Sequence, residues 1–356
     1  MADLAVVHTT TPYVSAWPWT SGSGFGSKHS NPGTLPAANG NGVSFHDNDV
    51  AVAHTTTPFV TAYPWSGSGF GSKYSDPASL SSGNGQKCNY GASDIAIVSA
   101  TAATSPYIWA WPWTGGSGFG SKYSDPASAP PNTCRDVEFG ASDIFAAHNT
   151  SPYLSAWPFS SGFGTKYGNP ASLPAGNPGN GVSCSPSSAD IAHCQGSTPY
   201  VNVYPFSGSG FGSRYSNPAS LPAGTGNGVM LTASYLFVSH TTSPYTTAYP
   251  FTSGGSIGTK ISDPASLPAG TGRSVYSDET DVFIGHDTTP FIAAYPFSGG
   301  SFGTKYSNPA SLPASAGLDV DLWAGAPAAG HPTRKRHAHT CFADGGYQPG
   351  TNRRVA

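Results

Sequence analysis

The feature that most constrains this chain is a unit of about 46 residues that occurs seven times. Each unit contains a Thr/Ser-Pro turn, an aromatic segment and an ending close to Phe-Gly-Ser-Lys-Tyr-Ser-Asn-Pro-Ala-Ser. A period of about 40 to 50 residues is typical of β-propellers. Because one small sheet cannot bury both of its faces alone, we expect the units to stack around an axis and share a core. The turn prolines are Pro12, Pro58, Pro106, Pro152, Pro199, Pro244 and Pro290.

The composition alone does not decide whether the chain folds. The sequence contains 45 Gly and 33 Pro among 356 residues, and only 9% of its residues are charged, which often accompanies disorder. The regular period and the 8 Trp, 18 Tyr and 18 Phe residues, many at repeated places, predict a folded chain, because these rings supply a large apolar area to bury.

Charge and hydrophobicity argue against two classes of partner. The formal net charge of −3 gives no positive field for nucleic acid or for an anionic membrane. No apolar run reaches the roughly 18 residues of a transmembrane helix, and the first residues enter the repeat directly, without room for a signal peptide. We therefore expect synthesis in a host cytoplasm, no membrane insertion and no binding of nucleic acid.

The second unit shows the strand pattern expected for one blade. Gly42–Phe45 is a short apolar strand, Asp49–His54 is a second, and Phe59–Trp65 is a third after the Thr-Pro turn. Phe70–Tyr74 follows a Gly-Ser-Gly turn as a short fourth strand. Pro64 and its equivalents cannot donate to a ladder, so the pairing of the third strand is expected to bulge or stop there.

Three aromatic positions recur on the third strand of every unit. They share parity, which places them on one face of the strand, and a ring at one register in every blade indicates packing between blades rather than a stacking platform for a ligand. The triplets are Tyr13/Trp17/Trp19, Phe59/Tyr63/Trp65, Tyr107/Trp111/Trp113, Tyr153/Trp157/Phe159, Tyr200/Tyr204/Phe206, Tyr245/Tyr249/Phe251 and Phe291/Tyr295/Phe297.

The two ends of the repeat array predict how the ring closes. The chain enters the first unit at a second strand, Asp3–His8, and Leu318–Trp323 lies where a further unit would begin with a first strand. We expect the C-terminal strand to complete the N-terminal blade and to remove free strand edges. The predicted fold is all-β: a seven-bladed β-propeller of four-stranded antiparallel blades over residues 1–325, closed by this C-terminal strand.

Residues 326–356 have no place in the repeat and are predicted to form a basic C-terminal extension. The segment has too few periodic apolar residues to fold alone, so we expect it to order against a partner. Its candidate partner-contact residues are Arg334, Lys335, Arg336, Arg353 and Arg354.

Histidines and aspartates recur at the end and at the start of the second strand. Repetition spreads them around a circle, whereas a metal ion needs three or four ligands within about 2 Å of one point. We interpret the histidines as caps of the following turn and the aspartates as turn-closing acceptors, and predict no metal site and no cofactor. The sets are His8, His54, His148, His240 and His286, and Asp3, Asp49, Asp94, Asp143, Asp190 and Asp281.

The remaining chemical signals are regular or absent. The sequence has no phosphate-binding loop, nucleophile elbow or zinc-helix motif, and we predict no catalytic residues. The five cysteines lack metal-ligand spacing and are expected to be buried thiols, with pairing of Cys184 and Cys194 left open. One basic residue per unit is expected to protect the outer strand edge: Lys28, Lys73, Lys122, Lys166, Arg214, Lys260 and Lys305.

Two sequence runs carry a resemblance to a known family. Tyr-Ser-Asn-Pro-Ala-Ser-Leu-Pro-Ala-Gly-Thr-Gly-Asn-Gly-Val at 215–229 and Val-Ser-His-Thr-Thr-Ser-Pro-Tyr at 238–245 resemble the WD-repeat-like propeller blades of tailed-phage structural proteins and some bacterial surface proteins. The resemblance covers nearly all of residues 3–325, but the Trp-Asp dipeptide of eukaryotic WD repeats is absent. It implies a virion location and other virion structural proteins as partners within a larger assembly.

These observations favour a non-enzymatic structural or adhesive virion protein of the head surface, neck or tail. It would act as a scaffold for protein–protein interaction, with a host-surface glycan as a further candidate partner. Two alternatives stay open: a glycan-binding, lectin-like propeller with a site between each pair of blades, and a propeller hydrolase or lactonase at the axial mouth. The enzyme would need irregular acid, base or metal-ligand residues at one end of the channel, and the sequence offers no convincing set.

Overall fold

The computed structural model describes residues 2–101, 105–176 and 178–325. These residues form seven antiparallel sheets, which confirms the predicted seven-bladed β-propeller. No helix in this part of the chain is long and apolar enough to cross a membrane. The blades are numbered 1 to 7 in chain order, and in each blade the strands run from the innermost, at the axis, outwards.

The innermost and second strands carry most of the buried backbone. The innermost strands of blades 1 to 7 are β26 (Asp319–Trp323), β4 (Gly40–His46), β7 (Gly85–Tyr90), β11 (Cys134–Phe139), β14 (Gly179–Cys184), β18 (Gly226–Leu231) and β22 (Gly272–Ser277). The second strands are β1 (Ala2–Val7), β5 (Asp49–His54), β8 (Asp94–Ser99), β12 (Asp143–His148), β15 (Asp190–Gln195), β19 (Tyr235–His240) and β23 (Asp281–His286).

The outer strands are shorter towards the rim. The third strands are β2 (Val14–Thr20), β6 (Val60–Pro64), β9 (Ile108–Thr114), β13 (Leu154–Pro158), β16 (Val201–Ser207), β20 (Thr246–Thr252) and β24 (Ile292–Ser298). The fourth strands are β3 (Gly24–Phe25), β10 (Gly118–Phe119), β17 (Gly210–Phe211), β21 (Ser256–Ile257) and β25 (Ser301–Phe302). In blades 2 and 4 the fourth strand is a single bridge, Trp65 to Phe70 and Phe159 to Phe163.

The C-terminal strand closes the ring as the sequence predicts. Strand β26 pairs antiparallel with β1, with Asp3 opposite Trp323 and Val7 opposite Asp319. The Leu318 N–H also donates to the Val7 carbonyl at 2.9 Å. Blade 1 is therefore built from both ends of the array, and its innermost edge is completed.

The third strand differs from its prediction at both ends. Its first aromatic residue lies in the turn rather than on the strand, because Tyr13, Phe59 and their equivalents adopt a left-handed backbone with φ near 70°. The prolines do not stop the ladder, since Pro18 lies within β2 opposite Asp3 and the strand continues to Thr20. The Pro18 carbonyl accepts the Gly26 N–H, so its missing donor faces only the short outermost segment.

The other two aromatic positions pack between blades, which confirms their predicted role. The second ring of each triplet is fully buried, and its N–H or O–H donates to a loop carbonyl of the preceding blade. These bonds measure 2.7–3.2 Å and run from Trp17 to Ser311, Tyr63 to Thr34, Trp111 to Ser79, Trp157 to Ser128, Tyr204 to Ser172, Tyr249 to Ser220 and Tyr295 to Ser266.

Candidate functional site at the propeller axis

A cavity of about 120 Å³ lies where the seven innermost strands meet. Every blade contributes residues to its wall, and the wall includes Lys87, Asp136, Glu138, Asp319 and Asp321. The regular outer parts of the blades thus surround a wall that differs from blade to blade. This irregularity is what a site for one specific ligand requires.

Two positions on each innermost strand supply the side chains around the axis. We call the first axial layer the residues Gly42, Lys87, Asp136, Gly181, Gly228, Ser274 and Asp319. The second axial layer lies two residues further along each strand and contains Ser44, Asn89, Glu138, Ser183, Met230, Tyr276 and Asp321. In blades 2 to 7 a break in the hairpin register falls just before the first layer, as between Cys134 and Asp136. Such bulges re-aim the side chains that follow them.

Most of the oxygen-bearing side chains in these layers satisfy the open edge of the next blade. An innermost strand has backbone N–H groups that no strand pairs, and burial without a partner would be costly. A side-chain oxygen of the preceding blade accepts them at 2.7–3.3 Å: Asp319 from Val43, Asp321 from Phe45, Ser44 from Tyr90, Asn89 from Phe139, Asp136 from Val182 and Ser183 from Leu231.

Serine and asparagine can accept these bonds without a charge, so the acidic residues add something further. Lys87 of blade 3 reaches past blade 2 and forms an ion pair with Asp319 of blade 1. Gly42 leaves the path open, because a Cβ there would lie 3.2 Å from the Lys87 Cδ. Burial alone would lower the pKa of Lys87, but Asp319 and then Asp136 raise it above its usual value, so Lys87 is an ammonium ion.

Asp136 is the axial group whose pKa is closest to neutrality. Burial raises the pKa of its carboxyl to about 6, and the negative charge of Asp319 adds to this effect. The Lys87 charge and the N–H groups of Val182 and Val137 oppose the shift without cancelling it. A carboxylate poised near pH 6 in a cavity is suited to general acid–base work.

The second axial layer holds two further acids. The Glu138 Oε2 accepts the Asn89 amide N–H at 3.1 Å, whereas the Oε1 lies 4.0 Å from the Cys184 thiol. Asp321 accepts the backbone N–H groups of Phe45 at 2.7 Å and Leu322 at 3.0 Å. These contacts fix both carboxylates in direction.

The recurring histidines lie away from the axis and act as turn caps, as the sequence predicts. The Nδ1–H of His8 donates to the Thr10 carbonyl at 2.7 Å, and Nε2 accepts the Ser15 hydroxyl at 3.1 Å. His148 makes the same pair of bonds. Burial lowers the pKa of each of the five to about 4, so they are neutral.

The aspartates that open the second strands do not close turns, which corrects that prediction. Each accepts a hydrogen bond from an aromatic side chain of the same blade, for example Asp49 from the Tyr74 hydroxyl at 2.6 Å. Three also accept an indole N–H of the next blade at 3.0–3.1 Å: Asp3 from Trp65, Asp49 from Trp113 and Asp281 from Trp19. These carboxylates join blades.

The other predicted groups play structural parts. The basic residues of the rim lie beyond the short fourth strands, and most contact an Asp or Asn three residues later, as Lys260 contacts Asp263 at 2.7 Å. Cys184 and Cys194 are both free, since Cys184 lies opposite Ile191 and Cys194 opposite Gly181. The predicted contact residues Arg334, Lys335, Arg336, Arg353 and Arg354 lie outside the described residues. Within the described ranges, no group of three or more His, Cys, Asp or Glu side chains could hold a metal ion.

The axial residues are the functional candidates that sequence reasoning missed. The repeat pattern Gly-Val-Ser-Phe becomes Lys-Cys-Asn-Tyr at 87–90, Asp-Val-Glu-Phe at 136–139 and Asp-Val-Asp-Leu at 319–322. Charge in a strand otherwise built from Gly, Val and Ser was a readable signal. Attention to what recurs, rather than to what departs from the repeat, hid it.

Comparisons with known proteins identify the fold. No protein-family model matches the sequence, and no curated protein does. The structure resembles the periplasmic gluconolactonase of Pseudomonas aeruginosa, with a TM-score of 0.65, 11% identity and coverage of 91% of this chain and 99% of that one. It also resembles a candidate 6-phosphogluconolactonase of Bacteroides uniformis, with a TM-score of 0.66, 8% identity and coverage of 90% and 99%.

A propeller of the WD40 class is also similar. The WD40 propeller domain of Doa1 has a TM-score of 0.54 and 11% identity, with coverage of 82% of this chain and 88% of that one. At such identities the likeness establishes a shared seven-bladed architecture. The chain is a WD-repeat-like β-propeller.

These findings overturn the prediction of a non-enzymatic virion protein. The similar structures include propellers named as gluconolactonase and 6-phosphogluconolactonase. The absence of an irregular acid and base set, on which the prediction depended, is also wrong, because the axial layers contain one. The prediction failed because residues far apart in sequence meet only when the ring closes. The lectin-like alternative stays a prediction.

Proposed function

We propose that this protein is a lactonase-type hydrolase whose reacting centre is the axial cavity. The observation that carries the proposal is the irregular, buried set of Lys87, Asp136 and Asp319 at the point where seven near-identical blades meet. The names of the similar propellers favour lactones among the substrates that an acid–base centre can hydrolyse.

The proposed reaction uses the first axial layer. The Asp136 carboxylate takes a proton from a water molecule as the water oxygen attacks the lactone carbonyl carbon. The Lys87 ammonium group, oriented by Asp319, stabilises the oxyanion that forms. The bond between the carbonyl carbon and the ring oxygen then breaks, and the ring oxygen takes the proton from Asp136. The product is an open-chain hydroxy acid, and Asp136 returns to its starting state.

The size of the cavity limits what can enter. About 120 Å³ is below the range of roughly 300–1,000 Å³ that is usual for drug-sized ligands. One small ring fits this space better than a polymer chain does. A larger substrate would place its reacting ring at the axis and the remainder in the channel mouth.

The test is lactone hydrolysis by the purified full-length chain, followed as acid release across a panel of small lactones. Because Asp136 must be ionised, kcat/KM should fall as the pH drops through about 6. Asp136→Asn keeps an oxygen for the Val182 N–H but removes the base, so kcat should fall by about 100-fold or more.

Asp94→Asn provides the matched control, since Asp94 is a buried carboxylate of blade 3 that accepts the Tyr123 hydroxyl at 2.7 Å, away from the axis. It should retain the activity of the folded protein. Lack of hydrolysis above the uncatalysed rate for every lactone, or equal activity of Asp136→Asn and wild type, would refute the proposal.

A further inference from the structure

We infer that the axial site selects lactones that carry an ammonium group and disfavours phosphorylated lactones, an inference that rests on the proposed function. The cavity wall holds one ammonium group, on Lys87, and four carboxylates, on Asp136, Glu138, Asp319 and Asp321. Asp319 already pairs with Lys87. A ligand therefore meets an excess of negative charge in a narrow space, where charges are weakly screened.

The second axial layer offers the place for the ligand's cation. Glu138 is fixed by the Asn89 amide, and Asp321 by the Phe45 N–H. Tyr276 lines the cavity in the same layer, and its ring stacks on Phe283 with centroids 6.2 Å apart. Two fixed carboxylates and an aromatic ring suit an organic ammonium ion, through ion pairing and a cation–π contact.

Ser274 gives an independent indication that the first layer holds a ligand. Its side chain lines the cavity and is 4% exposed, yet its hydroxyl has no hydrogen-bond partner among the described residues. Buried hydroxyl groups are usually bonded, and those of Ser44 and Ser183 accept N–H groups of the next blade. We assign the Ser274 hydroxyl to the lactone ring oxygen.

The spacing of the two layers fits one small ring with a substituent. Asp136 and Glu138 lie two residues apart on β11, a rise of about 6.6 Å. A lactone whose carbonyl faces Lys87 and Asp136 therefore directs a substituent along the axis towards Glu138. A phosphate in that place would lie against carboxylates, whereas an ammonium group would be attracted.

Two matched substrate pairs test the inference at pH 7. Homoserine lactone and α-hydroxy-γ-butyrolactone differ mainly in a positive charge, and 6-phosphogluconolactone and gluconolactone differ mainly in a negative one. We expect kcat/KM to be about tenfold higher for the cationic than for the neutral lactone, and about tenfold lower for the phosphorylated than for the neutral sugar lactone. In Glu138→Gln/Asp321→Asn, which keeps the amide and N–H bonds, both ratios should move towards one.

The control variant Asp94→Asn/Asp143→Asn removes the same number of buried charges away from the axis, so both ratios should persist. Circular dichroism checks that each variant is folded. Equal kcat/KM for the cationic and neutral lactones in wild type, or an unchanged ratio in the axial double variant, would overturn the charge inference and leave the hydrolase proposal standing.

If no lactone is hydrolysed, the hydrolase proposal fails and binding decides the charge inference separately. Calorimetry would compare 3-aminopyrrolidin-2-one with pyrrolidin-2-one, two inert lactams of the same ring size. Tighter binding of the amino-lactam to wild type, lost in the axial double variant, supports the cation site. Equal binding, or binding of neither, overturns it.

Discussion

The buried histidines link the stability of the propeller to pH. His8, His54, His148, His240 and His286 have pKa values of about 4 in the folded chain, against 6.5 for an unperturbed histidine. Since the unfolded chain binds more protons between these values, the stability present above pH 6.5 is lost as the pH falls towards 4. The free energy of unfolding should therefore decrease steeply in this window.

Blade 5 supplies a natural design for testing this dependence. There Gln195 and Asn202 occupy the places of His148 and Ser155, and the amide of Asn202 donates to the Gln195 Oε1 at 2.9 Å. His148→Gln/Ser155→Asn should keep the turn cap while removing one titrating group. Denaturant unfolding from pH 7 to 4.5 should show a shallower slope for the variant, with similar stability at pH 7. An unchanged slope would contradict the assignment.

The innermost strands depend on side-chain oxygens to satisfy their edges at the axis. Ser183 accepts the Leu231 N–H of blade 6 at 3.1 Å, and both residues are buried. Ser183→Ala leaves this N–H without a partner, so we expect a loss of about 1–3 kcal/mol in the free energy of unfolding. Equilibrium urea unfolding measures this loss. Ser183→Thr restores the acceptor and should recover most of it, whereas Ser207→Ala at an exposed strand end should change little.

At the level of elements, the sequence predicted the recurring parts of the fold and missed the particular ones. The period placed the blades, and the second and third aromatic residues packed as their repetition indicated. Tyr13 and its equivalents were misplaced, because alternation along a strand does not reveal a left-handed residue at its start. Lys87 and Asp319 are more than 200 residues apart. Only closure of the ring brings them together, so no local pattern could predict their ion pair.

The whole molecule depends on a closure made by one short strand. Without β26, Leu4 and Val6 of β1 would lose their neighbours Leu322 and Val320, and an open sheet edge would remain. A chain ending at residue 316 should therefore show a lower melting temperature and aggregate. A chain ending at residue 325 should keep the stability of the propeller, and a peptide of residues 317–325 added in trans should partly rescue the shorter one. Equal melting temperatures for both truncations would contradict this role.

The direction of the closing pair also determines how the molecule responds to force. Asp3 lies opposite Trp323, so the two ends of the array leave the β1–β26 ladder at the same end. A pull that separates these ends loads the hydrogen bonds one after another, as in a zipper, instead of sharing the load among them as in shear. Optical-tweezer extension from residues 2 and 325 should release β26 first, at low force, before any blade unfolds. The strand that seals the ring against heat is thus its weakest seam under tension.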